Sequence, residues 1–333
     1  MRVVRCKPLG NDKPAFLQHD LDMKSIAMGV DIGGSHISCV AVDLRQGIIL
    51  PESRTGRTVN NQTSATEIIA GWASALGQSM AAIDPAQLVG IGFAMPGPFN
   101  YAGGVALFTP EVAKYQSLHG VEVASCLRQS LALPAGTGMR FMNDASAFGV
   151  GEAWLGEAAG SHRAISITLG TGLGSVFIQE GIPVVEGDLV PRTGALWHVP
   201  FRGEIADAWF STRWFISRYA RATGCQLAGV RELAELAGTE LPARTVFVEF
   251  GENLADFLAP WIRKFGAEVL VIGGNVSAAY PWFGPSLEAS FRRQQIQTAI
   301  RVSKLREDAA LLGSARLFEE KFWSQTEPLL AKM

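Results

Sequence analysis

The chain has 333 residues, is 48% hydrophobic and 18% charged, and carries a net charge of −2. That length suits two lobes of ordinary size better than one core. The near-neutral charge, with no basic run longer than two residues, leaves no footprint for nucleic acid or an anionic membrane.

In chain order, residues 1–22 lack helical or strand periodicity and read as a loosely held extension, with Met23 a sensible start of its own. Their charges and prolines stand where a secretory signal needs an apolar core. Residues 26–50 read as three strands, "IAMGVDI", "HISCVAVDL" and "RQGIIL". Helical spacing over 64–80 predicts a helix capped by Ser64 or Thr66. "LVGIGFAMPGPF" is a strand entering a Pro-Gly turn, "GVEVASCLRQSLAL" a helix, and "MRFMND" a strand that ends at Asn143-Asp144. "ASAFGVGEAWLGEA" continues as a helix.

"RAISITLGTGLGSVFIQEGIPV" then repeats the opening: strand, glycine turn (Gly170-Thr171-Gly172-Leu173-Gly174), strand. A helix at 247–265, a strand "EVLVIGG", "NVSAAY" entering a helix, and a helical 305–323 complete the chain. Two lobes that each open with a strand–glycine turn–strand unit point to a duplication. Four scattered cysteines, Cys6, Cys39, Cys126 and Cys225, form no CxxC pair and fit a reducing compartment. No apolar run reaches the ~18–20 residues of a membrane span. A cytoplasmic, soluble protein is expected.

Gly33-Gly34 has two readings. It is a hairpin turn, since glycine takes positive φ cheaply, or a cradle in which backbone N–H groups converge on an anion. A dinucleotide fingerprint is excluded, because its glycines open a helix and "SHISCVAVDL" is strand-like. The second glycine turn, the strand-to-helix "VLVIGGNVS" and the Asn-Asp pair between them supply the parts of a phosphoryl-transfer site in order.

Together "DIGGSHI", "GFAMPGPFNYAGG", "FMNDASAFGVGEAW", "ITLGTGLGSVFI", "VLVIGGNVS" and "DAALLGSARL" resemble the ROK family (repressors, open reading frames and kinases) from about Met23 to Phe318. The resemblance implies an α/β, two-lobed, actin-like and hexokinase-like ATPase fold of ribonuclease H-like halves. The lobes would be 23–143 with 308–333, and 144–307. It also implies an ATP-dependent hexose kinase. In that reading Asp144 is the general base, and Asn143, Gly97, His198 and Glu186 face the sugar. Gly33, Gly34, Ser35 and His36 would form the first phosphate loop, Gly170, Thr171 and Gly172 the second, and Gly273, Gly274 and Asn275 the adenosine side. Asp31 would stand near Mg²⁺, directly or through water. A homo-oligomer, expected as a dimer, is implied as well. Asp144 has a plainer reading as a helix cap, and His36 one as a solvent-facing residue.

The chain also departs from the family pattern. Sugar-kinase members carry Glu-x-Gly-His and a zinc-binding cysteine cluster. Here "TGALWHVPFRGEIADAWFSTRWF" (193–215) has Ala195 for the Glu and Trp197 for the Gly, keeps His198, and has no cysteine. A structural zinc needs about four ligands, so no zinc is expected. Trp197, Phe201, Trp209, Phe210, Trp214 and Phe215 would pack in its place. His198 either contacts sugar or is a packed histidine, and Glu186, Glu204 and Asp207 are candidates for the missing Glu's task. Glu111, Lys114 and Tyr115 replace an Asn-containing loop common among the kinases. His19, His119 and His162 read as surface residues.

Three functions follow: a sugar kinase, a non-catalytic sugar-binding sensor of the same family, and an ATPase acting on a protein partner. Asp31, Asp144 and both glycine turns favour the first. The absence of a helix-turn-helix pattern before residue 23 disfavours direct DNA repression.

Overall fold

The structure, a computed structural model, describes residues 24–110 and 114–333. The expected extension at 1–22 and Glu111 lie outside the described residues.

The first half contains β1 (Ile26–Ile32), β2 (His36–Asp43), β3 (Ile48–Thr58), α1 (Ala65–Met80), β4 (Leu88–Met95), β5 (Phe99–Asn100), β6 (Val105–Ala106), α2 (Val123–Ser130) and β7 (Met139–Asn143). Then follow α3 (Asp144–Leu155), β8 (Arg163–Leu169), β9 (Leu173–Gln179), β10 (Ile182–Pro183), β11 (Pro200–Phe201) and β12 (Glu204–Ile205). The remainder is α4 (Ala206–Trp209), α5 (Thr212–Thr223), α6 (Val230–Leu236), α7 (Leu241–Phe265), β13 (Val269–Gly273), α8 (Tyr280–Arg293), β14 (Ala299–Val302), α9 (Asp308–Ala315) and α10 (Glu320–Thr326).

Two five-stranded sheets have the same topology. The first runs β3-β2-β1-β4-β7 and the second β10-β9-β8-β13-β14. In each, the strand before the glycine turn pairs antiparallel with the strand after it and parallel with the next strand inward. The duplication read from the two glycine turns is thus repeated in the strand order.

Helix α1 starts at Ser64, whose Oγ accepts from the Glu67 N–H while Glu67 reaches back to the Ser64 N–H. Such a capping box is worth about 1 kcal/mol. The third strand runs to Thr58, well beyond the "RQGIIL" segment, because Ser53 and Thr55 are held by Ala41 and by the carbonyl of Ala75.

Helices α3 and α9 cross between the sheets at close range. A Cβ on Gly151 would strike the Ala309 carbonyl and one on Gly313 the Ala147 carbonyl, so reciprocal glycines permit the contact. Helix α9 is docked on the first sheet by Ser314, which accepts from the Val30 N–H at 3.2 Å and donates to the Leu311 carbonyl at 2.9 Å. This crossing fixes α3, and with it the residue that opens α3, Asp144.

Candidate active site

Asp31 stands at the end of β1, paired with Ser38 of β2 and Ala94 of β4. The turn that follows closes through the Gly33 N–H to the His36 carbonyl at 2.9 Å. It is braced from below. The Tyr115 hydroxyl donates to the Gly33 carbonyl at 2.7 Å, the Asn61 amide donates to the Gly34 carbonyl, and the Val59 N–H donates to the Ser35 carbonyl at 2.9 Å. Tyr115 is fully buried, and burial pushes its phenol up to about 12, so it keeps the proton it donates. The His36 ring folds back over Gly33, while a Cβ on Gly34 would meet nothing within 4 Å. The turn therefore offers bare backbone to open space, as an anion cradle requires.

Asn143 and Asp144 follow β7, where Asn143 caps α3 by accepting from the Ser146 N–H at 3.2 Å. Its amide donates to the Tyr101 hydroxyl at 3.2 Å and to Asp144 Oδ1 at 3.1 Å. Asp144 Oδ1 also accepts from the Ala145 N–H at 2.8 Å. The capping role read for Asp144 is thus held by its neighbour Asn143, and one oxygen of Asp144, Oδ2, has no partner among the described residues. Gly97 lies beside Tyr101, ahead of a cis Gly97-Pro98 bond.

Asp144 stands between the two glycine turns. On one side its charge acts on Asp31, whose carboxyl is pushed up to about 7, first by burial and then by Asp144 and Glu307. On the other side, a Cβ on Gly174 would press on the methyl of Ala145, the residue after Asp144. Among the described residues no group of three or more His, Cys, Asp or Glu side chains could hold a metal ion, so the Asp31 carboxylate fits at most a hard, largely hydrated cation such as Mg²⁺, which needs only one or two protein carboxylates.

The second turn is held by residues that the sequence pattern did not assign to it. Gly170 N–H donates to the Gly172 carbonyl at 3.1 Å, and the Gly170 carbonyl accepts from both the N–H and hydroxyl of Thr212, at 2.8 and 2.9 Å. Asp207 Oδ1 accepts from the Leu173 N–H at 2.7 Å, and its Oδ2 pairs with Arg213 at 2.9 Å. A Cβ on Gly170 would meet nothing within 4 Å, and Thr171 is exposed. Arg213 offsets the charge that Asp207 brings close to the second turn.

Gly273 ends β13, and Gly274 has φ 78° and leads into a 3-10 turn, Asn275–Ala279, before α8. Gly274 and Asn275 are exposed. A Cβ on Gly274 would strike the Leu169 backbone, one residue before Gly170, so this corner adjoins the second turn.

The residues weighed for the missing Glu are engaged elsewhere. Glu186, 62% exposed, pairs with Lys332 at 2.5 Å. Asp207 serves the second turn, and Glu204 is exposed on β12. His198 packs edge-on to Trp197 at 5.2 Å and is lowered by burial and by Arg192, so it is neutral at pH 7. No described contact joins His198 or Glu186 to the Asn143–Asp144 pair.

The cysteine-free segment is bound by rings and one guanidinium. Phe201 lies 5.6 Å from Trp209, 5.5 Å from Phe210 and 5.4 Å from Phe257. Arg202 sits over Phe201 at 5.1 Å and reaches α7 through Asn253 at 2.5 Å and Asp256 at 2.9 Å. Trp197 stays apart from this cluster and is 48% exposed.

Sequence reasoning missed Tyr101, Asn61, Thr212 and the duty of Asp207. Their partners lie 27 to 42 residues away, where no local pattern reports them. Among the described residues no helix is long and apolar enough to cross a membrane.

The ROK family model matches residues 27–321. A glucokinase of Thermotoga maritima is 27% identical over 88% of this chain and 97% of its own. The ROK hexokinase of Thermus thermophilus superposes with a TM-score of 0.73 at 21% identity, covering 90% of this chain and 99% of that one. A ROK family glucokinase from Streptomyces griseus, solved with glucose and AMPPNP, gives 0.69 at 23% identity over 89% and 99%. The fold is the two-lobed actin-like, hexokinase-like ATPase fold, and the chain belongs to the ROK family.

Proposed function

We propose that this chain is an ATP-dependent sugar kinase that transfers the γ-phosphate of Mg·ATP to a hydroxyl of a hexose or hexose derivative. One observation carries the reading: a carboxylate, Asp144, with one tethered oxygen and one without a partner among the described residues, flanked by two glycine turns that are open at Gly34 and Gly170. Phosphoryl transfer asks for positioning, charge stabilisation and a proton acceptor near the nucleophile.

Asp144 takes the proton of the attacking sugar hydroxyl, and Asn143 holds a neighbouring hydroxyl beside Gly97. The turns Gly33-Gly34-Ser35-His36 and Gly170-Thr171-Gly172 receive phosphate oxygens through N–H groups other than those of Gly33 and Gly170, which close the turns onto the His36 and Gly172 carbonyls. Gly273, Gly274 and Asn275 border the adenosine. Bound Mg²⁺ supplies charge neutralisation at the phosphates, with Asp31 as its protein anchor, directly or through water. Closure of lobe 23–143 with 308–333 on lobe 144–307 keeps water from the transfer. Cytoplasmic placement, assembly as a homodimer, the absence of a zinc site and the absence of a nucleic-acid partner belong to the same proposal.

The test is a coupled ADP-release assay with Mg·ATP over hexoses, amino sugars and N-acetylated sugars, run beside Asp144→Ala. Sugar-dependent release that vanishes in the variant supports the kinase. Sugar bound by calorimetry without ADP release from any of them replaces it with a sensor.

A further inference from the structure

We propose that Tyr101 is a positioning residue that turns Asn143 into a pure hydrogen-bond acceptor toward the sugar and leaves Asp144 Oδ2 as the oxygen that accepts the proton. The proposal rests on the sugar-kinase reading for its substrate arm and on the hydrogen-bond geometry alone for its first arm.

The accounting is complete at this corner. An Asn side chain has two N–H donors and one carbonyl oxygen. The Ser146 N–H needs an acceptor, which fixes Oδ1 toward the start of α3. Both donors are then committed, one to Tyr101 Oη at 3.2 Å and one to Asp144 Oδ1 at 3.1 Å. Tyr101 has a single proton, and it goes to the Met95 carbonyl at 3.2 Å, so toward Asn143 the phenol can only accept. Met95 pairs with Asn143 across β4 and β7, which places donor and acceptor on one rung of the sheet.

Tyr101 is 4% exposed and is held against Phe99 at 5.4 Å, so the phenol has little freedom to release the amide. What remains of Asn143 for a ligand is the second lone pair of Oδ1. A sugar hydroxyl that meets it must donate. Asp144 Oδ1 already carries two N–H groups, from Ala145 and Asn143, which leaves Oδ2 for the attacking hydroxyl.

Tyr101→Phe tests this, because the ring packing is kept and only the acceptor is removed. The first arm needs no substrate. In ¹⁵N-labelled protein the Asn143 side-chain amide, identified by its loss in Asn143→Asp, should show both protons protected from solvent. In Tyr101→Phe one of the two should exchange at least about fivefold faster, as loss of one hydrogen bond implies. An unchanged pair, in a variant whose melting temperature shows it folded, overturns the proposal.

The second arm uses the best hexose with its deoxy and deoxyfluoro analogues. Fluorine accepts but cannot donate, so at the position facing Asn143 the fluoro sugar should lose as much kcat/KM as the deoxy sugar. Tyr101→Phe should lower kcat about fivefold with KM little changed and restore part of the fluoro sugar's loss. A fluoro sugar that matches the parent sugar at every position other than the phosphorylated hydroxyl overturns the acceptor-only assignment. Turnover absent with all hexoses, while the amide still responds to Tyr101→Phe, overturns the kinase reading and supports the Tyr101 contact alone.

Discussion

Asp31→Asn keeps the shape of the side chain at the first glycine turn and removes its charge. In the folded chain this carboxyl is pushed up from 3.8 to about 7, first by burial and then by Asp144 and Glu307. Between those values the folded chain holds a proton that the unfolded chain has released. The contribution of Asp31 is therefore fully present below about pH 4 and lost as pH rises to about 7. At about 1.4 kcal/mol per pH unit the gap corresponds to about 4 kcal/mol, and the solvent access of a half-buried group reduces it to roughly half. The Asn variant does not titrate. In chelator-containing buffer it is expected to be about 2 kcal/mol more stable than the parent at about pH 8 and nearly equal to it at about pH 4.5. Urea unfolding followed by tryptophan fluorescence across that range reads the difference directly. A variant no more stable at the alkaline end, or one whose advantage does not grow with pH, would refute the crowding of Asp31 by Asp144 and Glu307. The same variant should lose sugar phosphorylation, a gain of stability where function is lost.

Other outcomes follow from the same geometry. Asp144→Ala is expected to cut turnover by about 10²–10⁴-fold while nucleotide affinity by calorimetry stays within about threefold. Asp207→Ala leaves the Leu173 N–H and Arg213 without their acceptor. It should raise the KM for ATP and lower stability by about 1–3 kcal/mol. Arg202→Ala detaches the β11–β12 hairpin from Asn253 and Asp256 and should cost about 1–3 kcal/mol in urea unfolding. A strong zinc chelator should leave the melting temperature unchanged, and elemental analysis that finds stoichiometric zinc would contradict the metal-free account of 193–215.

Much of the architecture is written locally. The two glycine turns sit between strands of plain apolar character, and their recurrence, Gly33-Gly34 and Gly170-Gly172, reports the doubled sheet. Ser64 shows as a helix cap because its partner is three residues away, whereas the cap of α3, read at Asp144, is held one residue earlier by Asn143. Edge strand β14 escapes notice because "AIRV" is short and alternates only weakly in burial. The start of α7 at Leu241 is hidden behind an exposed Leu and a proline, and the sequence pattern picks the helix up only at Phe247.

The site is divided in the same way. Asp31, Asn143, Asp144 and the glycines lie at strand ends, where motif order exposes them. The groups that aim them lie elsewhere in the chain. Tyr101 reads as one more aromatic after a Pro-Gly turn, and Asp207 as a spare acid in a divergent segment. Their duties exist only after β4 pairs with β7 and α4 folds against the second turn. Glu186 shows the converse. It reads as a candidate for the task of the missing Glu at Ala195, yet it finds Lys332 near the end of the chain.

The most direct test is ³¹P NMR of a mixture of the protein, Mg·ATP and the hexose that gives the fastest ADP release. The account predicts a new phosphomonoester resonance that grows in step with ADP and is absent with Asp144→Ala. ADP accompanied only by inorganic phosphate would contradict it, because the terminal phosphate would then have gone to water and not to a sugar hydroxyl.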